Sequence, residues 1–263
     1  MIGIFDSGLG GLTAYKELHA LLPAGDFVYF GDTGRVPYGS RSREILTRYA
    51  GQDIRFLLRQ GADVILAACG TVSSVVLDDI KGEFLVPLFG VVDASVRAAL
   101  AATKNEKIGV IGTGATITSG AFAKKLTAAD PHAAVTSIAC PLFVQLVENG
   151  YIGRDCAVTR QVADDYLAPL RAAGIDTLIL GCTHFPIIAD ILGELLPGVT
   201  LVNSGAAAAA EVAAHCGRPD GSGSASFFVS DSPVNFDAVA RVFLGGETIR
   251  AKKVDIEAYL GKN

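Results

Sequence analysis

Two cysteines in this chain share one sequence setting, and a thiol in that setting can move a proton. Ala62-Asp63-Val64-Ile65-Leu66-Ala67-Ala68-Cys69-Gly70-Thr71 and Ile175-Asp176-Thr177-Leu178-Ile179-Leu180-Gly181-Cys182-Thr183-His184 are each an apolar run, opened by an aspartate and closed by a cysteine with threonine after it. Such runs read as strands buried on both faces of a parallel sheet, and open α/β sheets bind ligands at the carboxyl ends of their strands. A free thiol, with pKa about 8.5, becomes an effective base where positive groups or helix N-termini favour the thiolate. Two thiols flanking one pocket suit removal of a proton from one face of a carbon and delivery of a proton to the other. A strand-end cysteine taken alone reads as a small buried hydrophobe; the pairing is what points to chemistry.

Each thiol has a candidate helper. Asp6 follows the first apolar run, Ile2-Gly3-Ile4-Phe5, and His184 lies two residues past Cys182. Their bland alternatives are a turn or cap for Asp6 and packing against a helix end for His184. The hydroxyls of Ser7, Thr71, Thr116, Thr118 and Thr183 fall at or near strand ends, where each alone reads as a cap but together they gather at the expected mouth. Gly8 to Gly11 and Pro37-Tyr38-Gly39-Ser40 are loops able to turn backbone amides toward a carboxylate.

Other chemistries fit poorly. Cys-Thr-His matches no usual structural-zinc spacing, so no metal is expected. A cysteine phosphatase loop would carry arginine six residues after its cysteine, where Val75 and Ile188 stand. Gly8-Leu9-Gly10-Gly11 has the wrong spacing for a dinucleotide fingerprint, no Walker lysine motif occurs, and no lysine sits at a strand end among these motifs to hold pyridoxal phosphate. No cofactor is called for.

The elements that must position these groups follow from the alternation of short apolar runs with helical patterns, the signature of a parallel α/β sheet. Strands are expected around 2-5, 27-30, 63-68, 88-91, 107-111, 135-139, 176-180, 199-202 and 227-230. Helices are expected over 41-60 and 154-172, with an alanine-rich helix over Ala206 to Ala214 capped by Ser204. Gly217 to Ser226 reads as an exposed loop. The opening Ile2-Gly3-Ile4-Phe5-Asp6-Ser7-Gly8 has a counterpart in Ile108-Gly109-Val110-Ile111-Gly112-Thr113-Gly114, at a separation close to that of the two cysteines, which points to two related halves. The expected domains are 1-92 plus 204-263 and 93-203.

With 263 residues, half of them apolar, the chain can bury one large core or two moderate ones. A formal charge of -5 and the lack of a long basic run argue against nucleic-acid binding. Five scattered cysteines, odd in number and without a Cys-x-x-Cys pair, read as reduced thiols. The opening residues enter a strand directly, and no apolar stretch is long enough to span a membrane. A cytoplasmic protein is expected.

Phe5-Asp6-Ser7-Gly8-Leu9-Gly10-Gly11-Leu12-Thr13, Gly31-Asp32-Thr33 with Pro37-Tyr38-Gly39, Cys69-x-Thr71, Ile111-Gly112-Thr113-x-Ala115-Thr116, Cys140-Pro141-Leu142-Phe143-Val144 and Gly181-Cys182-Thr183-His184-Phe185-Pro186 together resemble the glutamate racemases of the aspartate/glutamate racemase superfamily. The resemblance implies two similar α/β domains with mainly parallel sheets and an active site in the cleft between them. It implies a cofactor-independent exchange of L- and D-glutamate that supplies peptidoglycan synthesis, and so cell-wall biogenesis and cell shape, and it leaves room for a homodimer. By that analogy Cys69 takes the proton of D-glutamate and Cys182 reprotonates the opposite face, with the roles exchanged for L-glutamate. Asp6 and His184 would tune the thiols. Ser7, Thr71 and Thr183 would hold the amino acid head group, with the amides of Tyr38 and Gly39, after Pro37, receiving a carboxylate. Thr113, Thr116, Thr118 and Glu148 would border the pocket from the second domain. A related racemase acting on aspartate and a catalytically weak amino-acid sensor remain alternatives.

One position departs from that pattern. The family usually carries Asn-Thr after the first cysteine, and here Gly70-Thr71 stands instead. A donor to the substrate is then missing, a loss of roughly 1.5–3 kcal/mol. Gly70→Asn is expected to be tolerated and to tighten substrate binding.

Overall fold

The computed structural model describes residues 1–259. Ten strands form among the described residues: β1 (Ile2–Asp6), β2 (Phe27–Gly31), β3 (Val64–Ala67), β4 (Leu88–Gly90), β5 (Lys107–Gly112), β6 (Ala134–Ala139), β7 (Thr177–Leu180), β8 (Thr200–Asn203), β9 (Ala225–Val229) and β10 (Ala251–Lys253). The helices between them are α1 (Leu12–Leu21), α2 (Arg43–Arg59), α3 (Gly70–Val75), α4 (Leu77–Ile80), α5 (Val91–Ala102), α6 (Gly114–Ser119), α7 (Ala121–Ala129), α8 (Pro141–Glu148), α9 (Ala157–Ala173), α10 (Ala189–Leu195), α11 (Ser204–Cys216) and α12 (Pro233–Phe243).

The strands divide into two sheets, ordered β10-β9-β2-β1-β3-β4 and β6-β5-β7-β8, and every pairing is parallel. The second sheet repeats the order β2-β1-β3-β4 of the first, with β9 and β10 added beyond β2 in the first sheet alone. Register sharpens the likeness: Phe5 pairs with Ala67 where β1 meets β3, and Ile111 pairs with Leu180 where β5 meets β7. Each cysteine therefore stands two residues past the end of an equivalent strand. In both sheets the chain leaves the first-formed strand to one side and then returns to the other, which opens a crevice at the strand's carboxyl end.

Side chains of β1 to β3 alternate between two apolar layers. Ile4, Tyr29 and Leu66 face one, and Phe5, Phe30 and Ile65 face the other. The first layer continues through α1 and α11 into Leu178, Leu180 and Phe185 of the second half, so one core joins both sheets. The alanines of α11 permit that junction, because small side chains let helices approach closely; a Cβ on Gly205 would already lie 3.2 Å from the Ala14 Cβ.

Nine strands lie where the apolar runs place them. The tenth, β10, is a three-residue edge strand, Ala-Lys-Lys, whose side chains give no apolar signal. The cap of α11 is Asn203 rather than Ser204: the Asn203 side chain accepts from the N–H groups of Gly205 and Ala206 at 3.0 and 3.2 Å, while the Ser204 hydroxyl donates to the Leu180 carbonyl at 2.8 Å. Among the described residues, no helix is long and apolar enough to cross a membrane.

Candidate active site

A cavity of about 470 Å³ lies at the carboxyl ends of the two sheets and draws walls from both. The first sheet contributes Asp6, Ser7, Gly8, the loop 36–40, Cys69, Gly70 and Thr71; the second contributes Thr113, Gly114, Gly181, Cys182, Thr183 and His184. One face of α8 closes the side with Pro141, Leu142, Val144, Gln145 and Glu148.

Cys69 is the N-cap of α3, its carbonyl accepting from the Ser73 N–H at 2.9 Å. Burial is the main influence on its thiol and the Asp6 charge adds to it; together they push the thiol up to about 12, against weaker opposing contacts from the Val72 N–H and the Ser7 hydroxyl. Asp6 ends β1. Burial raises its acid above the usual carboxylate range, although the positive charge of His184 and the N–H groups of Gly8, Gly11 and Ser7 oppose this. Its Oδ2 accepts from the Gly8 N–H at 3.0 Å, while its buried Oδ1 has no hydrogen-bond partner among the described residues. An unpaired buried carboxyl oxygen beside a cavity is well placed to meet a cationic ligand group.

The second thiol has different neighbours. Cys182 Sγ lies 3.9 Å from His184 Nδ1, and His184 Nε2 lies 3.0 Å from Glu148 Oε1. Burial works against a charge on the imidazole, but the contacts with Cys182 and Glu148 and the Asp6 charge outweigh it and raise the pKa to about 10. The two ring nitrogens thus face a thiol on one side and a carboxylate on the other.

The two halves touch around the cavity. Thr71 Oγ1 and Thr113 Oγ1 are 3.0 Å apart, and the Thr13 hydroxyl lies 3.2 Å from the Thr183 carbonyl oxygen. Thr113 caps α6, accepting from the Thr116 N–H at 3.3 Å.

Most residues singled out in the sequence converge here, but two do not. Thr116 is buried behind the wall, its hydroxyl 3.0 Å from that of Thr113, so it supports a lining residue without lining the cavity. Thr118 lies off the wall, because two residues further along the short helix α6 its side chain has turned away from the position of Thr113. Gly70 lines the cavity, yet asparagine is not accommodated there: a Cβ would fall 2.1 Å from the Gly181 carbonyl oxygen. The expected tolerance of Gly70→Asn is overturned by that backbone contact.

Two features go beyond the residues assigned from the sequence. On the α8 wall Glu148 is an expected residue, while Pro141, Leu142, Val144 and Gln145 are additional, the first three lying within the Cys140–Val144 motif. Behind the 36–40 loop, the Tyr38 hydroxyl donates to Asp32 and lies 3.1 Å from Asp53 Oδ2, and Arg35 pairs with the same two carboxyl groups at 2.6 and 3.0 Å. Burial and then the neighbouring Asp32 charge hold the Asp53 acid well above its ordinary value. The network anchors Tyr38 from behind and leaves the loop backbone facing the cavity. Among the described residues, no three or more His, Cys, Asp or Glu side chains are grouped to hold a metal ion.

The sequence model of the Asp/Glu/Hydantoin racemase family matches residues 17–212. A glutamate racemase of Geobacter metallireducens is 42% identical over 264 residues, spanning 98% of this chain and 97% of the relative. Among solved structures, glutamate racemase from Francisella tularensis in complex with D-glutamate superposes with a TM-score of 0.89 at 34% identity, covering 98% of each chain. Glutamate racemase from Thermus thermophilus in complex with beta-chloro-D-alanine gives 0.87 at 42% identity, covering 97% of each.

Proposed function

The chain belongs to the Asp/Glu/hydantoin racemase family, and we propose that it interconverts L- and D-glutamate with Cys69 and Cys182 as paired acid–base groups. The observation that carries this is the delivery of two thiols, one from each sheet, to a single cavity from equivalent strand ends. For D-glutamate, Cys69 takes the α-proton; the Cα–H bond breaks and its electron pair stays on carbon. Cys182 then gives its own proton to the opposite face, a new Cα–H bond forms, and no redox partner is required. L-glutamate runs the sequence in reverse.

Asp6 and the cavity hydroxyls of Ser7, Thr71 and Thr183 receive the amino acid head group. The substrate ammonium brings a positive charge to the Cys69 side, which offsets burial and lets that thiol ionise. His184, kept charged by Glu148, keeps a proton in reach of Cys182. Backbone N–H groups at Tyr38 and Gly39 take the distal carboxylate, with Pro37 and Gly70 shaping the wall around it and Thr113 holding Thr71 across the cleft. The two sheets correspond to domains 1–92 plus 204–263 and 93–203, with the cleft between them. In the cytoplasm such an enzyme serves as a source of D-glutamate for peptidoglycan.

The test is a circular-dichroism assay with each glutamate enantiomer on dialysed, chelator-treated protein. Convergence of both to the racemate at an undiminished rate is expected. Turnover of aspartate in preference to glutamate would shift the substrate assignment, and binding without turnover would make the protein a sensor.

A further inference from the structure

The contact at Gly70 involves only backbone on the facing side. A Cβ there would lie 2.1 Å from the Gly181 carbonyl oxygen and 3.7 Å from the Cys182 Cα, so no rotamer change relieves the overlap. Any side chain forces the segment after Cys69 and the segment before Cys182 apart. The adjoining residue makes the Thr71–Thr113 hydroxyl contact at 3.0 Å, which ties the same two halves together. Elsewhere on the rim the halves also meet through glycine: a Cβ on Gly10 would overlap Thr183 Oγ1 at 2.0 Å, and one on Gly39 would meet the Thr113 Cβ at 3.0 Å. The close seating at Gly70 is thus one of several such contacts between the halves, and its two members, Gly70 and Gly181, are the immediate neighbours of Cys69 and Cys182.

We propose that Gly70 is a positioning residue for racemisation: its lack of a side chain seats the Cys69 end of α3 on the Gly181 carbonyl and thereby sets the span between the two thiols. The inference rests on the two-thiol assignment above. Inversion needs both sulfurs within reach of one carbon, whereas exchange of the α-hydrogen with solvent on one face needs only one sulfur to take and return a proton. A wedge between the halves therefore penalises inversion more than exchange.

The experiment compares wild type with Gly70→Ala and Gly70→Asn in deuterated buffer, following inversion by circular dichroism and α-deuterium in the recovered starting enantiomer by mass spectrometry. A displacement of about an ångström is expected to lower kcat for inversion on the order of 100-fold. Deuterium retained in the starting enantiomer, per molecule inverted, should rise in Gly70→Ala, KM should not fall, and Gly70→Asn should perform no better. Four results would overturn the proposal: inversion by Gly70→Ala at the wild-type rate, inversion and exchange falling in the same proportion, a kcat/KM for Gly70→Asn above that of glycine, or failure of both variants to show a folded melting transition, which would make the contact a requirement of folding alone. Absence of inversion in the wild type would instead bring down the two-thiol assignment and is distinguishable from all four.

Discussion

Cys69 and Cys182 stand at matching places in two matching sheets, yet their surroundings carry opposite charge. Cys69 is buried beside the acid Asp6 and its thiol is pushed up to about 12. Cys182 touches an imidazole that holds its proton up to about 10 with the help of Glu148. Register gives the two thiols equivalent places; side chains outside the repeat give them different neighbours. The position equivalent to Thr71 in the second half is His184, and its partner Glu148 comes from α8, on the wall that only the second half supplies. Under the proposed two-thiol reaction, that asymmetry gives each sulfur its own helper, a carboxyl at Cys69 and an imidazole at Cys182.

The largest expected effect comes from making the two ends chemically equal to a hydroxyl, one at a time. Cys69→Ser and Cys182→Ser should each reduce inversion by about 10²–10⁴-fold, the range that a positioned acid–base group contributes. α-Hydrogen exchange should persist for a different enantiomer in each variant. Normal inversion in either single variant would sink the pairing.

Replacing the helpers separates the two ends. D- and L-glutamate have equal free energy in solution, so kcat/KM must change by the same factor in both directions for any variant; a directional difference appears in kcat, with KM shifted by the same factor. Asp6→Asn should lower kcat more in the direction where Cys69 accepts the proton, and His184→Gln more in the direction where Cys182 does, each by roughly 100-fold. Equal slowing in both directions by both variants would show that the charge asymmetry does not steer the proton.

A change of pH probes the Cys182 end alone. The His184 pKa is raised from 6.5 to about 10, so its contribution to stability is fully present below pH 6.5 and is lost as pH rises through about 10. Melting temperature should decline over that interval. Glu148→Gln removes one cause of the raised value, so it should flatten the decline and move the alkaline fall of kcat/KM to lower pH. An unmoved alkaline limb would assign that titration to another group.

The parts of this molecule legible in the sequence are those set by local pattern. Continuous apolar runs marked the buried strands because both faces of a parallel sheet are covered, and the two cysteines were conspicuous because each terminates such a run. β10 escaped because an edge strand pairs through its backbone and its lysines face solvent. Ser204 and Asn203 are both good capping residues, and only the carbonyl of Leu180, distant in sequence, decides which of them is free to cap. The Arg35–Asp32–Asp53–Tyr38 network and the closeness of Gly70 to Gly181 depend on how separate segments meet. For Gly70 that contact reverses what chemistry at one position suggests.

The smallest expected effects lie at the other end of the same two strands. Each run opens with an aspartate, but the likeness fails there too. Asp63 meets the Met1 amino group at 2.9 Å with a side chain 74% exposed. Asp176 accepts from the Thr103 hydroxyl at 2.6 Å, from the N–H groups of Lys104 and Asn105 at 2.6 and 2.8 Å, and from the Thr177 hydroxyl at 3.0 Å, fastening the loop before β5 to the start of β7. Burial opposes ionisation of Asp176, but those donors prevail and hold its acid down to about 2. With a pKa lowered from 3.8, its contribution is present above that pH and fades as pH falls through about 2. The site is largely open to water, so the contribution is discounted: Asp176→Asn should cost about 1 kcal/mol at pH 7, and Asp63→Asn no more than about 0.5 kcal/mol. Urea midpoints at pH 7 and pH 3 measure both. The difference between the two variants should narrow at the lower pH, and neither should change kcat, because the bases of the strands position nothing that touches substrate. An equal cost for both substitutions would mean that the exposed ion pair at Asp63 matches four hydrogen bonds at Asp176. The asymmetry between the halves would then be confined to the strand ends that carry the thiols.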